Sequence, residues 1–363
     1  MFDGIFIRTP QLIPNMIQLP VSSTKTATGE ILYTLRNASD MRVVISNRGG
    51  TLISWHAPDR YGRIADVLLG YPDTKGYVTN LPFFGGLIGR WANRIADGHF
   101  MLDGADFLVD RNNGTNHLHG GDAGFHLALW DVHVDNNGLR LRHTSKDGEA
   151  GFPGNLQVEV RYRLDEEGEL TIDYQAITDA PTPVNLTSHA YFNLNGGCSD
   201  ISDHMLSIDA DYFLKVDQRL IPTERAEVAG STFDFRQPSL IGPRLASSDA
   251  QLGLAGGFDH CYCLHWNEGM MHGALREVAQ VYDPGSGRAL TVATTETGLQ
   301  FYSGNFLDGV VGRGAQPYAV HDGFCLEAQA FPDQINGPDA EAVILRPGQI
   351  YRQTTVYRLS VRD

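Results

Sequence analysis

The stretch Leu156-Gln-Val-Glu-Val-Arg-Tyr-Arg-Leu-Asp165 alternates without a break. Leu156, Val158, Val160, Tyr162 and Leu164 fall on one side, and Gln157, Glu159, Arg161, Arg163 and Asp165 on the other. That period of two is the signature of a half-buried strand, in which successive side chains leave by opposite faces. Beyond the turn at Glu166-Glu167-Gly168 the same period resumes at Leu170, Ile172, Tyr174 and Ala176, so the two runs predict a hairpin. Outward from this hairpin, Asp103-Gly104 and Asp283-Pro-Gly-Ser-Gly287 mark further turns between apolar runs, and residues 41–46, 139–144, 343–345 and 354–361 add strand-like segments. Sustained helical periodicity is hard to find. A sheet with one apolar face must bury it on another layer, so the expectation is an all-β chain folded as a large, mostly antiparallel β-sandwich with little helix. The 40 glycines and 17 prolines are scattered as turn punctuation, with no linker, low-complexity tract or repeat, and a single domain over residues 1–363 is expected.

Composition narrows the partners. Lys and Arg total 28 against 43 Asp and Glu, a formal net charge of -15 spread along the chain, which repels phosphate backbones and anionic lipid. A small neutral ligand fits this field, whereas nucleic acid and membrane do not. Four cysteines, at 198, 261, 263 and 325, make neither a C-x-x-C pair nor a metal-ligand set, and are too few for a disulfide scaffold. A reducing compartment follows. Residues 1–20 lack the basic-then-apolar order of a signal peptide, and no run reaches the length of a membrane span, so a cytoplasmic protein is expected.

Six segments carry side chains capable of chemistry. In Pro183-Val-Asn-Leu-Thr-Ser-His-Ala-Tyr-Phe-Asn-Leu-Asn195, read as a strand, Asn185, Thr187, His189, Tyr191 and Asn193 share one face. Such a polar face could hydrogen-bond sugar hydroxyls, and His189 suits proton transfer near neutrality; the competing reading is a solvated outer face with an incidental histidine. In Gly323-Phe-Cys-Leu-Glu-Ala-Gln329, Cys325, Glu327 and Gln329 lie opposite Phe324, Leu326 and Ala328, an environment that would desolvate Glu327 and make it a better base, unless it sits paired with an arginine at a strand edge. Asn112 to Gly121 holds His117 and His119, open to a metal reading with Asp122 as third ligand. A hydrolase oxyanion loop at His119-Gly120-Gly121 fails, because the chain has no G-x-S-x-G. Phe84 to Ile95 brings Asn93 and Arg94 together after a glycine-rich turn, with Arg90 four residues before Arg94; Gly256 to His260 offers Asp259, and Leu299 to Phe306 offers Gln300. Taken one by one, none of these decides the function.

Taken in order, the blocks GRWANRIADGHF, NGTNHLHGG, TPVNLTSHAYFNL, GGFDH, LQFYSGNFLDG, GFCLEAQAFPDQIN and LRPGQIYRQTTVYRLS resemble the aldose 1-epimerase family, and the likeness runs over about residues 33–361. The resemblance implies a large antiparallel β-sandwich, exchange of the α and β anomers of free aldoses such as galactose or glucose, and no metal or organic cofactor. It places His189 as general acid and Glu327 as general base, with Asn93, Arg94, His119, Asp259 and Gln300 holding the sugar. Arg90, inside the motif, is left as structural. Ser188 and Ala190, where relatives often carry Asn and Ser, and Phe331, where Trp is frequent, are departures that leave the acid–base pair untouched.

Ring opening moves two protons: Glu327 would take the C1 hydroxyl proton while a charged His189 gives one to the ring oxygen, and closure reverses both. The rival readings are a glycoside hydrolase using Asp259 and Glu327, a non-catalytic sugar-binding module, and a metal enzyme using His117 and His119. The partner expected is a small aldose, bound by a monomer or homodimer.

Overall fold

In a computed structural model, residues 21–135, 138–265 and 273–362 are described; the leaderless N-terminus expected over residues 1–20 lies outside them. Among the described residues strands dominate, and helix is confined to Ile241–Leu245, Ala250–Ala255 and short 3-10 turns. Both expected strands of the opening hairpin form, Leu156–Leu164 and Glu169–Thr178, and pair antiparallel with Leu164 opposite Leu170. The turns at Asp103-Gly104 and 283–287 likewise close hairpins, between His99–Leu102 and Ala105–Leu108 and between Arg276–Tyr282 and Arg288–Thr294.

Three larger antiparallel sheets organise the described residues. The hairpin sits inside a nine-stranded sheet, where Glu169–Thr178 pairs with Tyr351–Val361 and that strand with Arg288–Thr294. A second sheet of five strands runs from Ser22–Lys25 to Ile64–Asp66. The third orders Pro222–Glu227, Tyr212–Val216, Asp259–Cys263, Gly298–Tyr302 and Cys325–Gln329 side by side.

The third sheet lies directly on the nine-stranded one. Tyr357 Oη donates to the Leu326 carbonyl at 2.9 Å, and Gln353 Nε2 to the Ala328 carbonyl at 3.1 Å. Leu326, Ala328, Leu299 and Phe301 point into a common core with Val158, Val160, Ile172 and Tyr174 from the long hairpin and Val43 and Trp55 from the second sheet. Strand alternation then sends Glu327, Gln300 and Asp259 out of the opposite face. The sandwich therefore supplies one dry layer and one face free to build a pocket.

Residues 183–195 differ from the regular strand expected. Only Thr182–Pro183 and Thr187–Ser188 pair as strands, and the rest is held by single bridges, Trp91 to Asn185, Leu68 to Phe192 and Phe192 to Phe324. The alternation survives because burial enforces it: Leu186, Ala190, Phe192 and Leu194 enter the main core, while Asn185, Thr187, His189, Tyr191 and Asn193 are also buried rather than solvated. The segment threads between layers, with no wet face.

Candidate active site

A cavity of about 330 Å³ opens beside the outward face of the third sheet, and its wall includes Asn93, Arg94, His119, His189, Asp259 and Glu327. Each arrives by a different route. Glu327 stands at the centre of Cys325–Gln329, opposite Gln300 on the next strand, and Asp259 begins the strand beyond. His189 follows Thr187–Ser188, which pairs with Leu87–Ile88, so the glycine-rich segment carrying Asn93 and Arg94 is docked beside it. His189 N–H donates to the Gly86 carbonyl, and Gly85 N–H returns the bond to His189, each at 2.9 Å.

Asn93 and His119 lock together. Asn93 N–H donates to His119 Nδ1 at 3.1 Å, and His119 N–H donates to the Asn93 carbonyl at 3.2 Å. Both have left-handed backbone, φ 64° and 53°, as does Phe83 at 61° in the same wall. For non-glycine residues this conformation costs about 1–3 kcal/mol and persists only where the surroundings enforce it, which is common at ligand sites. Next to His119, Gly120 has φ 89°, and a Cβ there would lie 1.8 Å from the Gly89 carbonyl oxygen, so only glycine lets the two loops close.

Because a main-chain N–H occupies His119 Nδ1, the neutral ring carries its proton on Nε2 and presents a donor. His119, His189 and Glu327 do bring ligand atoms within 4.8 Å of one another. A metal would need the Nε2 lone pair of His119, and the Asn93 N–H works against that tautomer. The metal pairing of His117 with His119 fails on similar grounds. His117 Nδ1 lies 2.9 Å from the Asp110 carbonyl and Nε2 accepts from Gly120 N–H at 3.1 Å, so both nitrogens are spent on the fold.

His189 Nε2 lies 3.7 Å from Glu327 Oε1, with the two residues 4% and 2% exposed. Burial pushes the His189 imidazolium down to about 3 and the Glu327 carboxyl well above the usual carboxylate range, the latter helped by Asp259 and opposed by Arg94. Both directions favour the neutral forms, which puts the one proton the two residues exchange on Glu327. The charged His189 expected before reaction is therefore the costlier of the pair's two arrangements in this dry setting.

Asp259 is raised by burial too, against Arg94 and Gln300, which hold it. Arg94 Nη1 lies 3.9 Å from Asp259 Oδ2, and Arg94 Nε donates to Asn113 Oδ1 at 3.0 Å. Gln300 does not line the cavity; its Nε2 donates to Asp259 Oδ1 at 2.7 Å from behind, aiming the carboxylate. Arg90 is structural as expected, its guanidinium donating to the Pro153, Gly154 and Lys146 carbonyls and to Ser145 and Thr182 hydroxyls. Sequence reasoning did not single out Phe83, Asn113 or Tyr302 as lining residues. Tyr302 was within reach, since it lies two residues from Gln300 on one strand and so shares its face. Phe83 had no signal, because its place depends on a left-handed turn.

The family model described as aldose 1-epimerase matches residues 32–358. The chain is 46% identical to the galactose mutarotase of Bos taurus over 89% of this chain and 92% of that one, and 39% identical to the aldose 1-epimerase of Escherichia coli K12 over 90% and 94%. Among solved structures it is similar to galactose 1-epimerase from Lactobacillus acidophilus, with TM-score 0.82 and 30% identity over 95% of this chain and all of that one. With a sandwich of the expected kind, a sugar-sized cavity and matches over nine-tenths of its length, the chain belongs to the aldose 1-epimerase family, the isomerases that interconvert the α and β anomers of free aldoses.

Proposed function

We propose that His189 and Glu327 are the acid–base pair of this isomerase, with Asn93, Arg94, His119 and Asp259 holding the sugar and Gln300 aiming Asp259. The observation that carries the reading is the 3.7 Å approach of two water-excluded titratable groups in one cavity wall. On sugar binding the shared proton passes from Glu327 to His189 Nε2, which then protonates the ring oxygen as Glu327 accepts the C1 hydroxyl proton. The C1–O5 bond breaks and leaves an aldehyde, a neutral histidine and a protonated glutamate. That neutral pair is the arrangement burial favours, so ring opening brings the two residues back to their resting protonation. The aldehyde turns about C1–C2 while Arg94 and Asp259 keep the other hydroxyls fixed, and closure returns both protons.

Galactose is the substrate named for the mammalian relatives, and galactose or glucose is the proposed substrate here. The single-domain reading is supported by a core drawn from all three large sheets. A cytoplasmic setting accords with four free cysteines, and a neutral ligand with the net charge of -15. Polarimetry on freshly dissolved α-galactose tests the pair: Glu327→Gln is expected to slow enzymatic mutarotation at least a hundredfold with the fold intact. A near-normal rate would remove Glu327 from the chemistry.

A further inference from the structure

His189 has a second nitrogen, and what faces it is a thiol. Cys325 Sγ lies 3.5 Å from His189 Nδ1, and both residues are buried. Cys325 shares a strand face with Glu327, two residues on, so one strand addresses both ends of the acid–base pair. Besides a hydrogen bond with its own main chain, the imidazole is held by rings: Tyr191 lies nearly parallel to it at 5.0 Å and 24°, Phe83 at 5.7 Å and 26°, and Tyr302 and His119 approach edge-on. The ring contacts fix the ring plane but do not choose which nitrogen carries the proton.

We propose that Cys325 is a positioning residue whose sulfur accepts from His189 Nδ1–H, fixing the tautomer in which Nε2 alone passes the proton to and from the sugar. The proposal rests on His189 being the acid. A histidine that gives its Nε2 proton to a ring oxygen must keep the Nδ1 proton when neutral, so Nδ1 needs an acceptor. A carboxylate would supply one, but its charge would stabilise the imidazolium and make His189 a poorer acid. Sulfur is a weak acceptor, and a buried thiol stays uncharged, because burial, Glu327 and Asp259 push the Cys325 thiol well above its usual range. The titratable groups around His189 are then Glu327, Cys325, His119, His126, Tyr191 and Tyr302, of which only Glu327 exchanges a proton with the reaction.

Two-bond proton–nitrogen correlation NMR on the intact protein labelled with ¹⁵N-histidine reads the tautomer, with the His189 signal assigned by its loss in His189→Asn. Protonated Nδ1 and bare Nε2 in the wild type are expected; the opposite tautomer overturns the proposal without any mutation. Cys325→Ala is expected to lower kcat about tenfold with KM within twofold, to mix the tautomers and to move the pH limb of kcat. Cys325→Ser, which restores an acceptor, is expected to recover most of the rate and the single tautomer. An unchanged tautomer, rate and pH limb in Cys325→Ala would refute the proposal; if that variant does not fold, the wild-type tautomer and Cys325→Ser decide. Full activity in His189→Asn would instead remove the acid assignment on which the proposal rests.

Discussion

The assignment of His189 and Glu327 makes its sharpest prediction in a double-mutant cycle. Glu327→Gln keeps the shape of a side chain that is 2% exposed but removes its ability to take a proton, and His189→Asn removes the imidazole together with its ring contacts to Tyr191 and Phe83. General acid–base catalysis is worth roughly 10²–10⁴-fold per group, or about 3–5 kcal/mol of barrier at 1.36 kcal/mol per tenfold. If the two acted independently, the double variant would lose the product, about 10⁴-fold or more. At 3.7 Å with one proton between them they act as a unit, since an acid with no partner to remove the C1 proton cannot open the ring. The double variant is therefore expected to be no slower than the slower single one, within about threefold. The assay is the rate constant for α-galactose mutarotation by polarimetry, corrected for the buffer-catalysed rate, with circular dichroism to confirm folding. Losses that multiply would refute the shared-proton reading, even with each single variant impaired.

The pH dependence supplies two further tests. Burial holds His189 down to about 3 and Glu327 well above the usual carboxylate range, so the neutral pair is expected to persist as the pH falls through the range in which a free histidine charges. The kcat/KM profile is expected to pass through pH 6.5 and on to pH 5 without a falling acid limb, and an apparent pKa near 6.5 in that limb would contradict the neutral pair. Stability should behave differently. His117, His126 and His204 are buried and pushed down by burial from 6.5 to about 4, so the unfolded chain takes up protons first as the pH falls. Their contribution is present above 6.5 and is lost between 6.5 and 4, about 3 kcal/mol for each. Glu296, raised by burial to about 7, works in the opposite direction over this window, as do Glu327 and Asp259, so the histidine share is read by difference. Urea midpoints are expected to fall more between pH 7.5 and 5 in the wild type than in His126→Gln, and parallel series would show that His126 charges without cost.

Much of the fold is legible in the sequence where one physical rule dominates. The 156–176 hairpin is so, because each residue faces either core or polar surroundings and the turn sets the register. Residues 183–195 are not, because burial on both sides leaves the alternation intact while removing the ladder that usually accompanies it. At the site, Glu327 and Gln300 are visible as alternating polar residues inside apolar strands, yet only the register places them opposite one another and leaves Gln300 behind Asp259. The left-handed turns at Phe83, Asn93 and His119 carry no local signal, since none is glycine. Their conformation is imposed by the loops that meet at Gly89 and Gly120.

That contrast bears on how the pair is built. Glu327 stands at the centre of Cys325–Gln329, the outermost strand of its sheet, with Leu326 and Ala328 held by Tyr357 and Gln353 from the layer beneath, so its position is fixed by two packed sheets. His189 hangs from a threaded segment and takes its orientation from ring contacts, from the Gly85 and Gly86 main chain, and from a thiol on the same strand as Glu327. Anomer exchange needs no bond between protein and sugar, only two groups that trade protons across a short, constant gap. On the proposed roles, a base on a strand packed between layers and an acid registered to that strand by Cys325 would hold the gap constant, leaving the strained loops that carry Asn93 and His119 to meet the hydroxyls. On this argument, substitutions in the loops should act mainly on KM, and substitutions along Cys325–Gln329 mainly on kcat.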